Sequence, residues 1–297
     1  MDTHTLIVGE DHVNERVDIF LASNLPQCPS RSFAKHLIDQ NLVSVNQKIV
    51  KPHYKIQIGD AIEVKSELPG ELRATPQDIA LDIFYEDEDI VVVNKPVGMV
   101  VHPAPGCRSG TLVNALLYRY QELSTAGDAL RPGIVHRLDK ETSGLIVVAR
   151  NNKSHVRLAG QFEKRIVKKQ YVALVENLIE FDEGKIDVPL GQHPQHREKR
   201  AILAANAKSA ETVYRVLKRF KKSTLVALMP KTGRTHQLRV HMAYLGHPIL
   251  GDDKYGKKAN FPRLALHARS IVFKHPTKFK WIGFSSIIPK EFLKEDF

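Results

Sequence analysis

Apolar positions along this chain fall into runs with helical or strand periodicity, separated by polar stretches that have neither. Between Ser30 and Gln40, Phe33, Leu37 and Ile38 recur at helical spacing behind a capping serine, Ser30, which predicts a helix. Arg31 and Lys35 lie four residues apart and share its outward face. Val43-Ser44-Val45-Asn46 alternates as a strand does and turns at Asn46-Gln47. Lys48, Lys51 and Lys55 then precede Gly59-Asp60 and a further strand, Ala61 to Val64. From Lys65 to Ala80 the periodicity is lost, and Pro69-Gly70 and Thr75-Pro76 interrupt the chain. Residues 66–79 are expected to be a linker between a small basic unit, 13–65, and a larger unit, 80–297.

The larger unit opens with Ile83-Phe84-Tyr85, an acidic turn from Glu86 to Asp89, and a strand, Ile90 to Val93, that stops at Asn94-Lys95-Pro96. Ser109 or Thr111 is placed to cap a helix from Leu112 to about Glu122, with Leu112, Leu116 and Leu117 inward. A polar loop then runs past Gly144 into the apolar strand Leu145 to Ala149. A helix is predicted over Lys153 to Lys164, burying Val156, Ala159 and Phe162, followed by a strand, Gln170 to Val175, with Tyr171, Ala173 and Val175 on one face. Leu190 to Ala205 reads as a polar, basic loop, and Thr212 to Leu217 and Thr224 to Met229 read as strands. The turn Pro230 to Gly233 leads to a helix, Thr235 to Leu245, that buries Leu238, Met242 and Leu245, sets Thr235 and Arg239 on another face, and ends at Gly246 and Pro248. Periodicity alone supports only a mixture of α and β elements.

Charge narrows the partner. In 297 residues, Lys and Arg outnumber Asp and Glu by 44 to 33, a net charge of +11 that favours a polyanion. Cys28 and Cys107 lie far apart, so neither a disulfide framework nor a cysteine-rich zinc site is indicated. His193 with His196, and His236 with His241, lack sensible ligand spacing, so no metal is expected. No apolar run approaches the roughly 20 residues of a membrane helix. The first ten residues do not read as a signal peptide. A cytoplasmic protein is expected.

The candidate chemistry lies in His136-Arg137-Leu138-Asp139-Lys140-Glu141-Thr142-Ser143-Gly144-Leu145. Here one carboxylate, Asp139, stands between two cations, Arg137 and Lys140, and a nearby cation lowers an Asp pKa by about 1–3 units. An ionised carboxylate is what a nucleophile or a base requires. This string resembles the signature of the RluA family of RNA pseudouridine synthases. Lys169-Gln170-Tyr171-Val172-Ala173 and Thr232-Gly233-Arg234-Thr235-His236-Gln237-Leu238-Arg239-Val240-His241 resemble two further segments of that family. The small unit, through Ser30-Arg31-Ser32, Val43-Ser44-Val45-Asn46 and Gly59-Asp60, resembles an alpha-L RNA-binding domain.

The resemblance implies an α+β fold, with a mostly antiparallel bent sheet flanked by helices and a central cleft. It implies conversion of uridine to pseudouridine in a flipped-out nucleotide, most closely as in the subgroup acting on large-subunit ribosomal RNA, without cofactor. Asp139 would be the essential carboxylate, acting on C1′ or C6 as nucleophile or on C2′ as base. Arg239 would pair with Asp139. Tyr171 would stack on the uracil and could relay the proton leaving C5. Arg137 would fill the vacated stack or hold its phosphates. Arg31, Lys35 and Lys48 would grip RNA, and the protein would act as a monomer. At Gln192 and Arg200 the chain departs from the family's Arg and Met, which bears on the choice of RNA. Three other readings compete: phosphoryl transfer to Asp139, glycoside hydrolysis with Glu141 as the second carboxylate, and RNA binding without catalysis.

Overall fold

The protein is described by a computed structural model covering residues 2–25, 28, 31–66, 74–104, 106–120, 123–126, 131–196, 198–202, 206–256 and 261–294. The chain divides into two compact units, Met1–Ala74 with Asp128–Arg131, and Thr75–Gly127 with Pro132–Phe297. Among the described residues no helix is long and apolar enough to cross a membrane.

In the first unit, β1 (Asp2–Ile7), α1 (Val17–Asn24), α2 (Arg31–Asp39), β2 (Val43–Val45), β3 (Lys48–Ile49) and β4 (Ala61–Ser66) follow in order. The strands form an antiparallel sheet in the order β1-β4-β2-β3. Val17, Phe20 and Leu21 of α1 and Ala34, Leu37 and Ile38 of α2 bury themselves against Val43, Val45, Ile62 and Val64. Asn46 and Gln47 both have positive φ, 50° and 66°, the geometry that a two-residue hairpin matches to strand twist. Two elements escaped the pattern. β1 precedes the stretch expected to fold, and α1 crowds Val17, Ile19, Phe20 and Leu21 together rather than spacing them as a stripe. The expected cap, Ser30, lies outside the described residues.

The second unit contains β5 (Ile83–Glu86), β6 (Ile90–Lys95), α3 (Leu112–Arg119), β7 (Ser143–Ala149), α4 (Asn152–Glu163), β8 (Lys168–Glu176), β9 (Glu183–Asp187), β10 (Leu190–Gln192), β11 (Arg200–Ile202), β12 (Glu211–Arg219), β13 (Ser223–Pro230), α5 (Gln237–Tyr244), β14 (Leu266–Lys274) and β15 (Trp281–Ser285). Its main sheet runs β5-β6-β7-β14-β8-β13-β12-β9, with β15 also paired to β14. Every pairing is antiparallel except that of β7 with β14. The fold is thus α+β with a mostly antiparallel sheet. β10 and β11 form a separate hairpin inside the stretch expected to be a loop; Arg197 and residues 203–205 of that stretch lie outside the described residues.

Helix ends and faces depart from the pattern in instructive ways. Thr111 caps α3 reciprocally with Asn114, as expected, but the helix stops at Arg119, and Glu122 lies outside the described residues. In α4 the expected inward residue Val156 is 65 % exposed, while Ser154, His155 and Leu158 are buried. Polar anchors set this face: Asn151 caps the helix, and the Ser154 hydroxyl donates to Asp89 at 2.8 Å, which turns Leu158 onto Ile90, Val92, Leu145 and Val147. α5 begins at Gln237 rather than Thr235. It closes with Gly246 at φ +81° while the Gly246 and His247 N–H groups return to the Ala243 and Met242 carbonyls.

Candidate active site

Three segments converge where β7, β14 and β8 lie side by side. Gly144, Ala268 and Tyr171 are direct neighbours across these strands. Gly144 has φ +113°, and a Cβ there would meet the Ala268 carbonyl oxygen at 2.3 Å, so only glycine lets the loop pass this closely. The loop ahead of β7, the start of β8 and the β13–α5 connection line one cleft of about 460 Å³. Its walls include Arg137, Asp139, Lys169, Tyr171, His236 and Arg239.

The aspartate loop is pinned along its length. His136 Nε2 accepts the Val147 N–H at 3.0 Å, and its ring stacks on Phe162 with centroids 4.5 Å apart. Burial, aided by the Lys169 charge, pushes the His136 pKa down to about 3, so it remains a neutral acceptor. Leu138 is buried in the core beside Ile146 and Val148. The Asp139 carbonyl accepts the Thr142 N–H, and the Lys140 carbonyl accepts from the Gly98 N–H and from Lys95 Nζ. Lys95 is fully buried and also donates to the carbonyls of Pro96 and Met99, clamping the Asn94-Lys95-Pro96 turn onto the aspartate loop. Its burial lowers its pKa to about 8.

Below the loop, hydrogen bonds run in one direction. Arg263 donates to Ser143 Oγ at 3.0 Å, and the Ser286 hydroxyl donates to the Arg269 carbonyl. Ser286 Oγ therefore accepts from His267 Nε2, and His267 Nδ1 accepts from the Ser143 hydroxyl, each at 2.8 Å. Burial holds His267 neutral, with its pKa lowered to about 4. The start of β7 is fixed before any substrate arrives.

Against this rigid frame the Asp139 carboxylate is free: it makes no hydrogen bond or ion pair among the described residues. The flanking cations do not hold it, which corrects the expectation from sequence. Lys140 reaches Glu141 instead, at 3.9 Å, and Arg137 stands exposed on the cleft without a hydrogen bond. Glu141 is outside the cleft lining, so the two-carboxylate arrangement of a glycoside hydrolase is not formed by the pair considered.

Arg239 also departs from expectation. It lines the same cleft as Asp139 and feels its charge, but its guanidinium grips Asp252 through two hydrogen bonds, at 2.7 and 2.6 Å. Asp252 is buried, and two backbone N–H groups, of Lys254 and Tyr255, also point at it. Arg239 thus presents a fixed positive charge to the cleft rather than a partner for Asp139.

Tyr171 faces the cleft from β8, and burial, together with the Asp139 charge, pushes its phenol pKa far up. That direction keeps the phenol protonated, with its ring on the cleft wall. Lys169, two residues earlier on the same face, has no partner among the described residues, and burial lowers its pKa.

His236 sits at φ +57°. His236 Nδ1 shares a hydrogen bond of 2.8 Å with Tyr255 Oη, which also accepts the Arg200 N–H at 2.7 Å, so the ring is anchored on its Nδ1 side. Burial keeps this histidine neutral against the raising effect of Asp139. Lys169 and His236 were inside the quoted motifs and Lys95 at a strand end, but only the fold places them around the aspartate loop.

In the first unit, Arg31 and Lys35 line a shallow open pocket with Arg16, Lys51 and His53, whereas Lys48 stands exposed on β3 outside it. Buried Asp18 organises this surface by pairing with Arg16 and Arg31, each at 2.9 Å. Burial pushes the Asp18 carboxyl up, but the two guanidiniums outweigh it and hold it ionised.

Comparison with known proteins agrees with this geometry. Residues 89–244 match the RNA pseudouridylate synthase family, and residues 15–62 match the S4 domain. An uncharacterized RNA pseudouridine synthase of Aquifex aeolicus is 46 % identical, over 96 % of this chain and 93 % of its own. The ribosomal large subunit pseudouridine synthase D of Zymomonas mobilis is 42 % identical, over 98 % of this chain and 96 % of its own. Among solved structures, human RNA pseudouridylate synthase domain containing 1 superposes with a TM-score of 0.59 at 29 % identity, over 74 % of this chain and 85 % of its own. With its S4 domain preceding the cleft-bearing unit, the chain belongs to the RNA pseudouridylate synthase family.

Proposed function

We infer that this enzyme isomerises uridines of large-subunit ribosomal RNA, with Asp139 as the reacting carboxylate. The observation that carries the reading is the unpartnered Asp139 carboxylate in a cleft whose six cations, Arg137, Arg165, Lys169, Lys231, Arg234 and Arg239, outnumber its two carboxylates, Asp139 and the exposed Glu163. Such a field attracts phosphodiester even with the Asp139 carboxylate inside it. The isomerisation breaks N1–C1′, turns the uracil, and joins C5 to C1′, with loss of the C5 proton and uptake of a proton at N1. It exchanges no other atom and needs no redox partner.

Each wall of the cleft has a part in this scheme. Tyr171 offers its ring face to the extruded uracil. Arg137, exposed and unpaired among the described residues, enters the vacated stack or holds its phosphates. Arg239 supplies positive potential while Asp252 holds it in place. Arg31 and Lys35 take phosphates of the same RNA through the S4 surface, a contact that positions without reading bases. The large-subunit assignment is supported by the relative from Zymomonas mobilis, named for that subunit and matched over nearly its whole length. A monomer acting in the cytoplasm is the simplest form consistent with this role.

The test is a pseudouridine map of total ribosomal RNA from cells with and without this protein. Sites that vanish from large-subunit RNA support the reading, and an unchanged map of that RNA overturns it.

A further inference from the structure

Where β14 ends and β15 begins, the chain reads Lys274-His275-Pro276-Thr277-Lys278-Phe279-Lys280-Trp281, with two large aromatics interleaved among lysines. His275 and Pro276 are buried, but the Phe279 and Trp281 side chains are each 56 % exposed. Phe279 adopts φ +55°, a left-handed conformation uncommon outside glycine and asparagine. Two cations attend its ring: the Arg157 guanidinium at 4.9 Å and the Lys274 ammonium at 5.8 Å from the centroid. Trp281 lies directly opposite Lys274 in the β14–β15 ladder, so both side chains leave the sheet on the same face. Lys274 therefore stands between the two aromatics.

The hairpin is held firmly enough to present these groups. Arg157 donates from α4 to the Pro276 carbonyl at 2.8 Å, and Gln161 exchanges two hydrogen bonds with the Lys274 backbone. Buried His275 donates to Asp87, which also takes Lys278. Asp87 is thus already neutralised, while Lys274 and Lys280 remain exposed and without an ion pair among the described residues. The basic character extends along α4 and the start of β8. Lys168 is opposite Val272 on β14, and Lys164 and Arg165 follow α4 toward the cleft, where Arg165 and Lys169 form part of the wall.

We propose that Phe279 and Trp281, with Arg157, Lys274 and Lys280, form a stacking platform for single-stranded RNA on the catalytic unit, separate from the cleft. Exposed ring faces bind nucleobases whatever their sequence, and adjacent ammonium groups track the phosphates. A protein partner would leave the unpaired lysines uncompensated unless its surface were acidic, whereas single-stranded RNA satisfies both the rings and the charges. The proposal takes only the identity of the polymer from the isomerase reading.

Trp281 is the chain's only tryptophan, so its emission reports on this surface alone. The full-length protein is titrated with a labelled single-stranded oligouridine of about 12 nucleotides. Tryptophan emission and label anisotropy are followed together, and turnover on ribosomal RNA is measured in parallel. The expected result is saturable quenching that tracks anisotropy, together with roughly tenfold weaker binding by Phe279→Asn, which tolerates the left-handed backbone but lacks the ring. Binding by anisotropy with unchanged emission, and wild-type affinity in Phe279→Asn, would overturn the platform. Equal quenching by a blunt RNA duplex would overturn its assignment to single strands. Absence of turnover by the wild type strikes the isomerase reading and leaves the platform standing.

Discussion

Tyr171, Asp139 and Arg239 do different work although all three line one cleft. Burial and the Asp139 charge push the Tyr171 phenol away from ionisation, so the proposed scheme rests on its ring rather than on its hydroxyl. Tyr171→Phe is therefore expected to keep turnover within about threefold, whereas a proton relay would lose roughly 10²–10⁴-fold; Tyr171→Ala is expected to fail in single-turnover assays. Arg239 is a buried charge balanced by Asp252. Asp252→Ala would strand it, at a cost of about 3–5 kcal/mol measurable by urea denaturation. The sequence singled out all three cleft residues through motif resemblance, but it misassigned the partner of Arg239. Asp252 lies 13 positions further on, in a Gly-Asp pair that periodicity does not mark, and only folding brings the carboxylate to the guanidinium.

At the level of elements, the turn between β5 and β6 shows how polar groups set what apolar spacing cannot. In the sequence Asp87 is one member of the acidic turn from Glu86 to Asp89. In the fold it is a hub that accepts from the Asp89 and Ile90 N–H groups, the Tyr85 hydroxyl, His275 and Lys278. Burial pushes its carboxyl up, but these donors outweigh it and hold the group far below the ordinary carboxylate range. A depressed folded pKa gives stability that is present above the unfolded value, about 3.9, and lost as pH falls through and below it. Asp87→Asn should therefore be less stable than wild type at neutral pH and should lose less on acidification below about pH 4, read from urea midpoints at several pH values. A parallel acid limb in both proteins would contradict the hub. The same polar network explains the error in α4: Asn151 and Ser154 turn Val156 to solvent, while Ala159 and Phe162 of the expected stripe stay partly buried. Strand existence was easier to read, because β2, β4, β6, β8 and β13 carry alternating or continuous apolar runs whose burial the sheet demands.

Across the whole molecule, charge is divided between two surfaces: an S4 surface organised by Asp18 and a mainly cationic cleft that holds the Asp139 carboxylate. Neutralising Arg31 and Lys35 together with glutamines should weaken RNA binding and lower the slope of log affinity against log salt by about 2. An unchanged slope would remove that surface from RNA binding. The α+β class was legible through the chain's motif resemblance. The hairpin of β10 and β11 was not, since its strands are three residues each and sit in a polar run. The account stands or falls on Asp139, and the most direct test is tritium release from ribosomal RNA labelled at uridine C5, comparing wild type with Asp139→Asn at matched RNA occupancy. The carboxylate makes no structural bond among the described residues, so the variant should fold and bind RNA as wild type does while releasing no label. Release at the wild-type rate would contradict the central role given to that carboxylate.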